Sequence, residues 1–276
     1  MAAEDLYICL TVYFVRTRGK RWVRRFWKFA LRNASELGQE LTHFTPVRYN
    51  QQGWRCNSYR HIKRNEKHLT QEGVDETLEC LEFCATGDDG DLVMSPFMVG
   101  LRNSQASKGY GTVFMQCRRD LLALLGEGKH FLEKTIRELN SVVKTDYGLV
   151  TVMRGNQYPG VYFGDVPASI HLTEEQERNA ELWHKEGARF GTLVREVYWG
   201  NVLSGSHWRN DRAKEAFLVA ELQRECAGNV FRVDEETIFF CAPFDILEWE
   251  SRTRQMQRFR SRVRRILQNT SIEVLT

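Results

Sequence analysis

Leu6-Tyr-Ile-Cys-Leu-Thr-Val-Tyr-Phe-Val15 is nearly continuous in β-branched, aromatic and aliphatic residues, the composition of a strand buried on both faces. Arg18-Gly19-Lys20 then turns the chain. From Arg21 to Leu41 the residues Trp22, Phe26, Phe29, Ala30, Leu37 and Leu41 recur at helical spacing, while Arg21, Arg24, Arg25, Lys28 and Arg32 fall on the other side. That pattern is an amphipathic helix with a basic outer face.

Working outward, residues 43–70 are polar and turn-rich, with Asn50-Gln-Gln-Gly53 at their centre, and read as an insertion. Asp75 to Thr86 is expected to be a short helix ended by Gly87-Asp-Asp-Gly90. Leu92–Leu101 and Gly111–Cys117 are expected to pair as strands across the Ser/Asn/Gly loop Asn103–Gly109. Asp120–Lys144 reads as helix, liable to break at Gly126 and Gly128, and Leu149–Met153 as the strand that closes a first unit.

A second unit follows a polar lead-in, where Thr173-Glu-Glu-Gln176 has the form of a capping box opening a helix toward Trp183. Leu193–Leu203 reads as strand and Arg212–Cys226 as helix. Val230–Val233 and Thr237–Cys241 flank the turn Asp234-Glu-Glu236, Trp249–Leu267 is helical, and Ile272–Leu275 offers a last strand. Both halves thus run strand, helix, strand, strand, helix, strand. The expected fold is α+β, with two ferredoxin-like (βαββαβ) halves, antiparallel sheets and helices packed on one face. Residues 1–155 form the first half, with an acidic insertion near 43–91; residues 156–276 form the second, with a helical lead-in.

The net charge of +3 conceals segregation. Residues 1–70 hold 14 Lys/Arg against 5 Asp/Glu, residues 71–100 hold 8 acids and no base, and residues 251–276 hold seven Arg against Glu273. The seven cysteines lack framework spacing and the N-terminus carries Glu4 and Asp5 where a signal peptide has basic residues, so a reducing cytoplasm with free thiols is expected. No apolar run reaches the roughly 20 residues that span a bilayer.

No cluster carries recognisable catalysis. Cys80 and Cys84 lack a partner His or Cys pair for zinc, and the seven histidines form no HExxH or HxE arrangement. Gly87-Asp-Asp-Gly-Asp91 lacks the closing glutamate of a calcium loop. Ser204-Gly-Ser206-His207 lacks the glycines of a nucleophile elbow, and Asp120 with Glu127-Gly-Lys129 matches a nuclease triad only in composition. The expectation is a protein without catalytic residues, metal or cofactor.

Two charged features remain. Arg21, Arg24, Arg25, Lys28 and Arg32, with Arg254, Arg258, Arg262 and Arg265, form helix faces that either track a phosphate backbone or hold intramolecular ion pairs. Asp75, Glu76, Glu79, Glu82, Asp88, Asp89 and Asp91 are uncompensated locally. They either meet the chain's own basic helices or face a cationic surface on another protein, where complementarity speeds association.

The stretch Gly187-Ala-Arg-Phe-Gly191 to Tyr198-Trp-Gly-Asn-Val-Leu-Ser204, followed by a helix and the Val230–Cys241 hairpin, resembles the closing part of bacterial immunity proteins that neutralise type VI secretion toxins. In that group Trp or Tyr ahead of Asn-x-Leu and a helix recurs, and the likeness covers about the last 90 residues. The resemblance implies a cytoplasmic, non-enzymatic protein that occludes a cognate toxin with a basic surface, of the nuclease kind, through the acidic residues just named. The alternatives are a nucleic-acid-binding protein using the Arg-rich helices, and an enzyme of unrecognised type.

Overall fold

The computed structural model describes residues 6–15, 22–50, 53–56, 59–62, 64–65, 78–85, 95–102, 110–154 and 189–275, with helical Glu174, Glu177, Glu181 and Lys185. Strand β1 (Leu6–Val15) lies mid-sheet between β7 (Tyr110–Arg118) and β8 (Thr145–Arg154), antiparallel to both. Being hydrogen-bonded on both edges and covered on both faces, it carries eight buried residues in succession, Tyr7 to Phe14, with Leu6 half-buried and Val15 exposed at its ends. Its near-continuous apolar sequence follows from that position.

Helix α1 (Trp22–Glu36) crosses to β2 (His43–Asn50), which runs in the same direction as β1 with three strands between them. The chain then returns as an antiparallel meander through β5 (Leu78–Ala85), β6 (Phe97–Arg102) and β7. The short strands β3 (Gly53–Cys56) and β4 (Tyr59–Arg60) both pair with β2. Helices α2 (Arg119–Leu124) and α3 (Gly128–Val142) carry the chain to β8. They are separated at Gly126, whose φ of 70° suits glycine.

Strand β10 (Gly200–Ser204) pairs with β8, and the β11 (Val230–Arg232)–β12 (Thr237–Cys241) hairpin adds outside it. The sheet order is β11-β12-β10-β8-β1-β7-β6-β5-β2-β3, with β4 off that path: eleven strands among the described residues. Helix α4 (Arg212–Glu225) joins β10 to β11; a 3-10 helix (Ile246–Arg252) and α5 (Thr253–Asn269) follow β12. Asp211 starts α4 by accepting from the Ala213 and Lys214 amides.

Four expectations change. Residues 78–85 are a strand, not part of a helix: β5 is paired on both edges, with Leu78, Leu81, Phe83 and Ala85 buried. Residues 43–70 contribute β2, β3 and β4 to the sheet instead of a polar loop. The single strand expected over 193–203 is two, β9 (Leu193–Val194) and β10, and β9 pairs in parallel with the last strand, β13 (Glu273–Val274), in a separate small sheet. Consequently the α+β class and antiparallel sheet hold, but two separate ferredoxin-like halves do not emerge. One sheet runs through both, and the second unit's final strand leaves it.

The helices also occupy two faces, not one. Trp27 and Phe26 of α1 pack on Phe83, with ring centroids 4.8 and 5.8 Å apart. The strand register places Phe83 on the face of Leu10. Lys129 of α3 sits 4.9 Å over Phe231, which shares that face through Phe239, Val202 and Gly148. Glu215 of α4 instead pairs at 2.6 Å with Arg232, which the register puts on the face of Tyr147 and Tyr13. On that same face Phe190 stacks on Tyr13 and Tyr147. Arg264 of α5 holds Glu196 at 2.6 Å, in the strap that continues from Phe190. The cause is crossover handedness. Strands β1 and β10 run the same way, but α1 carries the chain to one side and α4 to the other, so right-handed connections fall on opposite faces.

Candidate interaction site

Of the acidic residues singled out from the sequence, Asp75, Glu76, Asp88, Asp89 and Asp91 lie outside the described residues, as do the Gly87–Asp91 loop and most of the Thr173–Gln176 capping box. Glu79 falls on the backbone of β5. Glu82, also on β5, shows what a sheet position does to a carboxylate. Its Oε1 lies 3.8 Å from the Arg102 guanidinium on neighbouring β6 and accepts from the Cys80 thiol at 3.6 Å. This one acid is met inside the chain.

The candidate chemical groups are placed apart. Cys80 and Cys84 are buried on a strand, and burial pushes the Cys84 thiol up to about 12 and that of Cys80 well above the ordinary range. Thiols so disfavoured from ionising are poor metal ligands. Among the described residues no group of three or more His, Cys, Asp or Glu could hold a metal ion. Asp120 pairs with Arg118 at 2.7 Å, whereas Lys129 bonds Asn229, so the nuclease-like residues face different partners. His207 Nδ1 lies 3.3 Å from both the amide and the carbonyl of Ser204, while the Ser204 and Ser206 hydroxyls bond each other at 2.7 Å. Buried His207 has its pKa lowered from 6.5 to about 4 by desolvation. A neutral imidazole fixed to the main chain holds the turn after β10.

The Tyr198–Ser204 stretch is core. Trp199 is fully buried and donates its indole N–H to the Phe244 carbonyl at 2.9 Å. The Asn201 side chain spans Tyr198, accepting from its N–H and donating to its C=O, both at 3.0 Å. Gly200 is required here, because a Cβ would lie 2.8 Å from the Phe239 ring.

The arginine-rich helices prove to be surface features. On α1, Arg24, Arg25 and Lys28 are exposed and Arg32 pairs with Glu138 of α3 at 2.8 Å. On α5, Met256, Phe259, Val263 and Leu267 are buried at helical spacing, which forces the intervening arginines outward or sideways. The sideways ones are tied. Arg260 donates to the Val197 carbonyl at 3.0 Å and lies over Trp249, Arg264 holds Glu196, and Arg262 reaches Glu225 of α4 at 3.3 Å. Arg254, Arg258 and Arg265 point outward, with no ion-pair partner among the described residues. Two adjoining clefts of about 460 Å3 each lie along this face and share Arg258 and Arg262. The sequence marked these arginines by spacing; which ones the fold would tie up was not readable from spacing.

No helix among the described residues is long and apolar enough to cross a membrane. No family model matches the chain, and no curated protein matches it significantly. Among solved structures it is similar to a Pseudomonas aeruginosa T6SS protein, PA0821, with a TM-score of 0.56 and 9% identity, over 98% of this chain and 74% of that one. At that identity the likeness establishes a shared fold.

Proposed function

We propose that this chain is a non-enzymatic immunity protein of the type VI secretion kind, binding a cognate antibacterial toxin in the cytoplasm and covering its working surface without a cofactor. The observation that carries the reading is the fold shared with a T6SS protein along nearly the whole chain. It agrees with the sequence resemblance around Tyr198–Ser204. Occlusion asks for a rigid scaffold that presents charged and aromatic groups, and a continuous sheet braced by helices on both faces supplies one.

The acidic tract holding Asp75, Glu76, Glu79, Glu82, Asp88, Asp89 and Asp91 would steer a toxin with a basic surface, such as a nuclease. Association would then slow as salt rises. The test is co-expression with the toxin encoded beside this gene, scoring growth rescue and co-elution of the two chains. Rescue with a stable complex is the expected result; a toxin that kills equally with and without this chain sinks the reading. Reversing the charges of Asp75, Glu76, Asp88, Asp89 and Asp91, with Glu82 left in its pair with Arg102, should slow association, and unchanged kinetics would remove the steering role. The second reading, nucleic-acid binding, is favoured by the outward Arg254, Arg258 and Arg265, and a salt-dependent gel shift with random DNA or RNA would support it.

A further inference from the structure

The outer side of the α4–α5 layer combines unsatisfied cations with apolar surface in a recess. One cleft is lined by Pro243, Phe244 and Phe259 together with Arg252, Arg258 and Arg262; the adjoining cleft adds Arg254 and Ser261. Arg254, Arg258 and Arg262 succeed one another at four-residue steps, about 6 Å apart along the helix axis. The ion pair between Arg262 and Glu225 fixes α4 beside α5, so both helices contribute to one outer surface.

We propose that this face is a docking site for an acidic protein segment, one whose carboxylates alternate with apolar side chains. Arg258 projects where the two clefts meet and can take a carboxylate in bidentate fashion, with Arg254 one turn away for a second. The apolar wall of Pro243 and Phe244 receives the side chain beside that carboxylate. A nucleic-acid backbone fits less well. Glu248 and Glu225 stand in the wall of the first cleft, holding Arg252 at 3.1 Å and Arg262 at 3.3 Å. A continuous row of phosphates would run against both carboxylates, whereas a peptide can place its acids at Arg258 and Arg254 and leave those pairs intact. Arginine beside aromatic surface is also the composition of energetic centres in protein interfaces. The site uses none of the acidic residues singled out from the sequence, and the inference does not depend on the partner being a toxin.

Fluorescence anisotropy of the full chain tests it, with three probes at physiological salt: a labelled Glu/Leu-alternating peptide, a Ser/Leu peptide of equal length and a 20-base-pair DNA duplex. The Glu/Leu peptide should bind, and Arg254→Glu/Arg258→Glu should weaken it at least tenfold while the melting temperature stays near wild type. Arg24→Glu/Arg25→Glu on α1, the same charge change elsewhere, should leave binding within twofold. If the α5 reversal lowers the melting temperature, Arg258→Ala alone provides the reading, with a threefold or greater loss expected. No binding of the acidic peptide, equal loss in the α1 control, or tighter binding of the duplex than of the peptide would each overturn the proposal.

Discussion

The two helix layers cover opposite faces of one sheet with helices of similar length, yet they dispose of their charge differently. In the α1–α3 layer, cross-helix contacts are made by the charges themselves: Lys134 meets Glu36 at 2.6 Å and Arg32 meets Glu138 at 2.8 Å. Between those ion pairs, the buried Thr135 hydroxyl donates to the Asn33 side chain at 2.8 Å. In the α4–α5 layer one ion pair among the described residues, Arg262–Glu225, joins the helices, while Arg254, Arg258 and Arg265 of α5 face outward, the first two of them lining a recess. Packing explains the first arrangement. It does not require the second. Arg24, Arg25 and Lys28 of α1 are outward as well, so what sets α5 apart is not unpaired charge but the clefts that Arg254 and Arg258 line.

The largest expected effect tests whether the first layer is held by aromatic packing. Phe83 on β5 touches Phe26, Trp27 and Phe44 and is fully buried. Phe83→Ala should cost about 3–5 kcal/mol by leaving a cavity that rigid rings cannot close, read as a lower denaturant midpoint with unchanged slope. An effect below about 1 kcal/mol would mean that α1 is anchored elsewhere.

In the second layer the matching anchor is ionic. Glu215 has a side chain only 2% exposed and takes Arg212 at 2.9 Å and Arg232 at 2.6 Å. Removing both guanidiniums by Arg212→Ala/Arg232→Ala strands a buried carboxylate and should cost about 2–4 kcal/mol. Adding Glu215→Gln to the double variant should recover part of the loss, because the buried charge is then gone. Additive losses in that triple variant would show that Glu215 is not the residue that needs the arginines.

That contrast was only partly legible in the sequence. The run Leu6–Val15 announced a strand sealed on both faces, and the spacing of Phe26, Phe29 and Ala30 announced a helix, because each pattern has one period and a long span. Residues 78–85 did not. In Leu-Glu-Cys-Leu-Glu-Phe-Cys-Ala, Leu78, Leu81 and Ala85 satisfy helical spacing as well as a buried strand does, and only pairing with β2 and β6 decides between them. The two-sided placement of helices depends on which way each crossover travels, a property of the assembled sheet. For the candidate site, the arginine spacing on α5 was visible. That Arg260, Arg262 and Arg264 are tied while Arg254 and Arg258 stay outward depends on contacts with Val197, Glu225 and Glu196, which are distant in sequence or on another element.

A pH effect of intermediate size should arise at the turn after β10. In the unfolded chain His207 titrates near 6.5; in the fold its pKa is lowered to about 4 by burial. Above pH 6.5 both states leave the ring neutral and the histidine costs nothing. As the pH falls from 6.5 toward 4 the unfolded chain takes up a proton that the folded chain refuses, so stability declines, by about 3 kcal/mol once both states are protonated. His207→Asn keeps a polar group near the Ser204 main chain without titrating. Its stability should therefore fall less steeply across that interval, and parallel pH profiles for variant and wild type would remove His207 as the cause.

The smallest effect on stability carries the sharpest comparison between the layers. Glu225→Gln and Glu36→Gln each remove the half-buried carboxylate of a cross-helix ion pair, the partner of Arg262 in the second layer and of Lys134 in the first. Both should change stability by less than about 1 kcal/mol, since partly exposed pairs contribute little. Their effects on the acidic peptide should diverge. Glu225→Gln removes a repelling carboxylate from the cleft wall and releases Arg262 toward the ligand, so affinity should rise about threefold or more, whereas Glu36→Gln should leave it unchanged. A rise in both variants would mean that overall charge governs binding, and the α4–α5 recess would lose its claim to be the site.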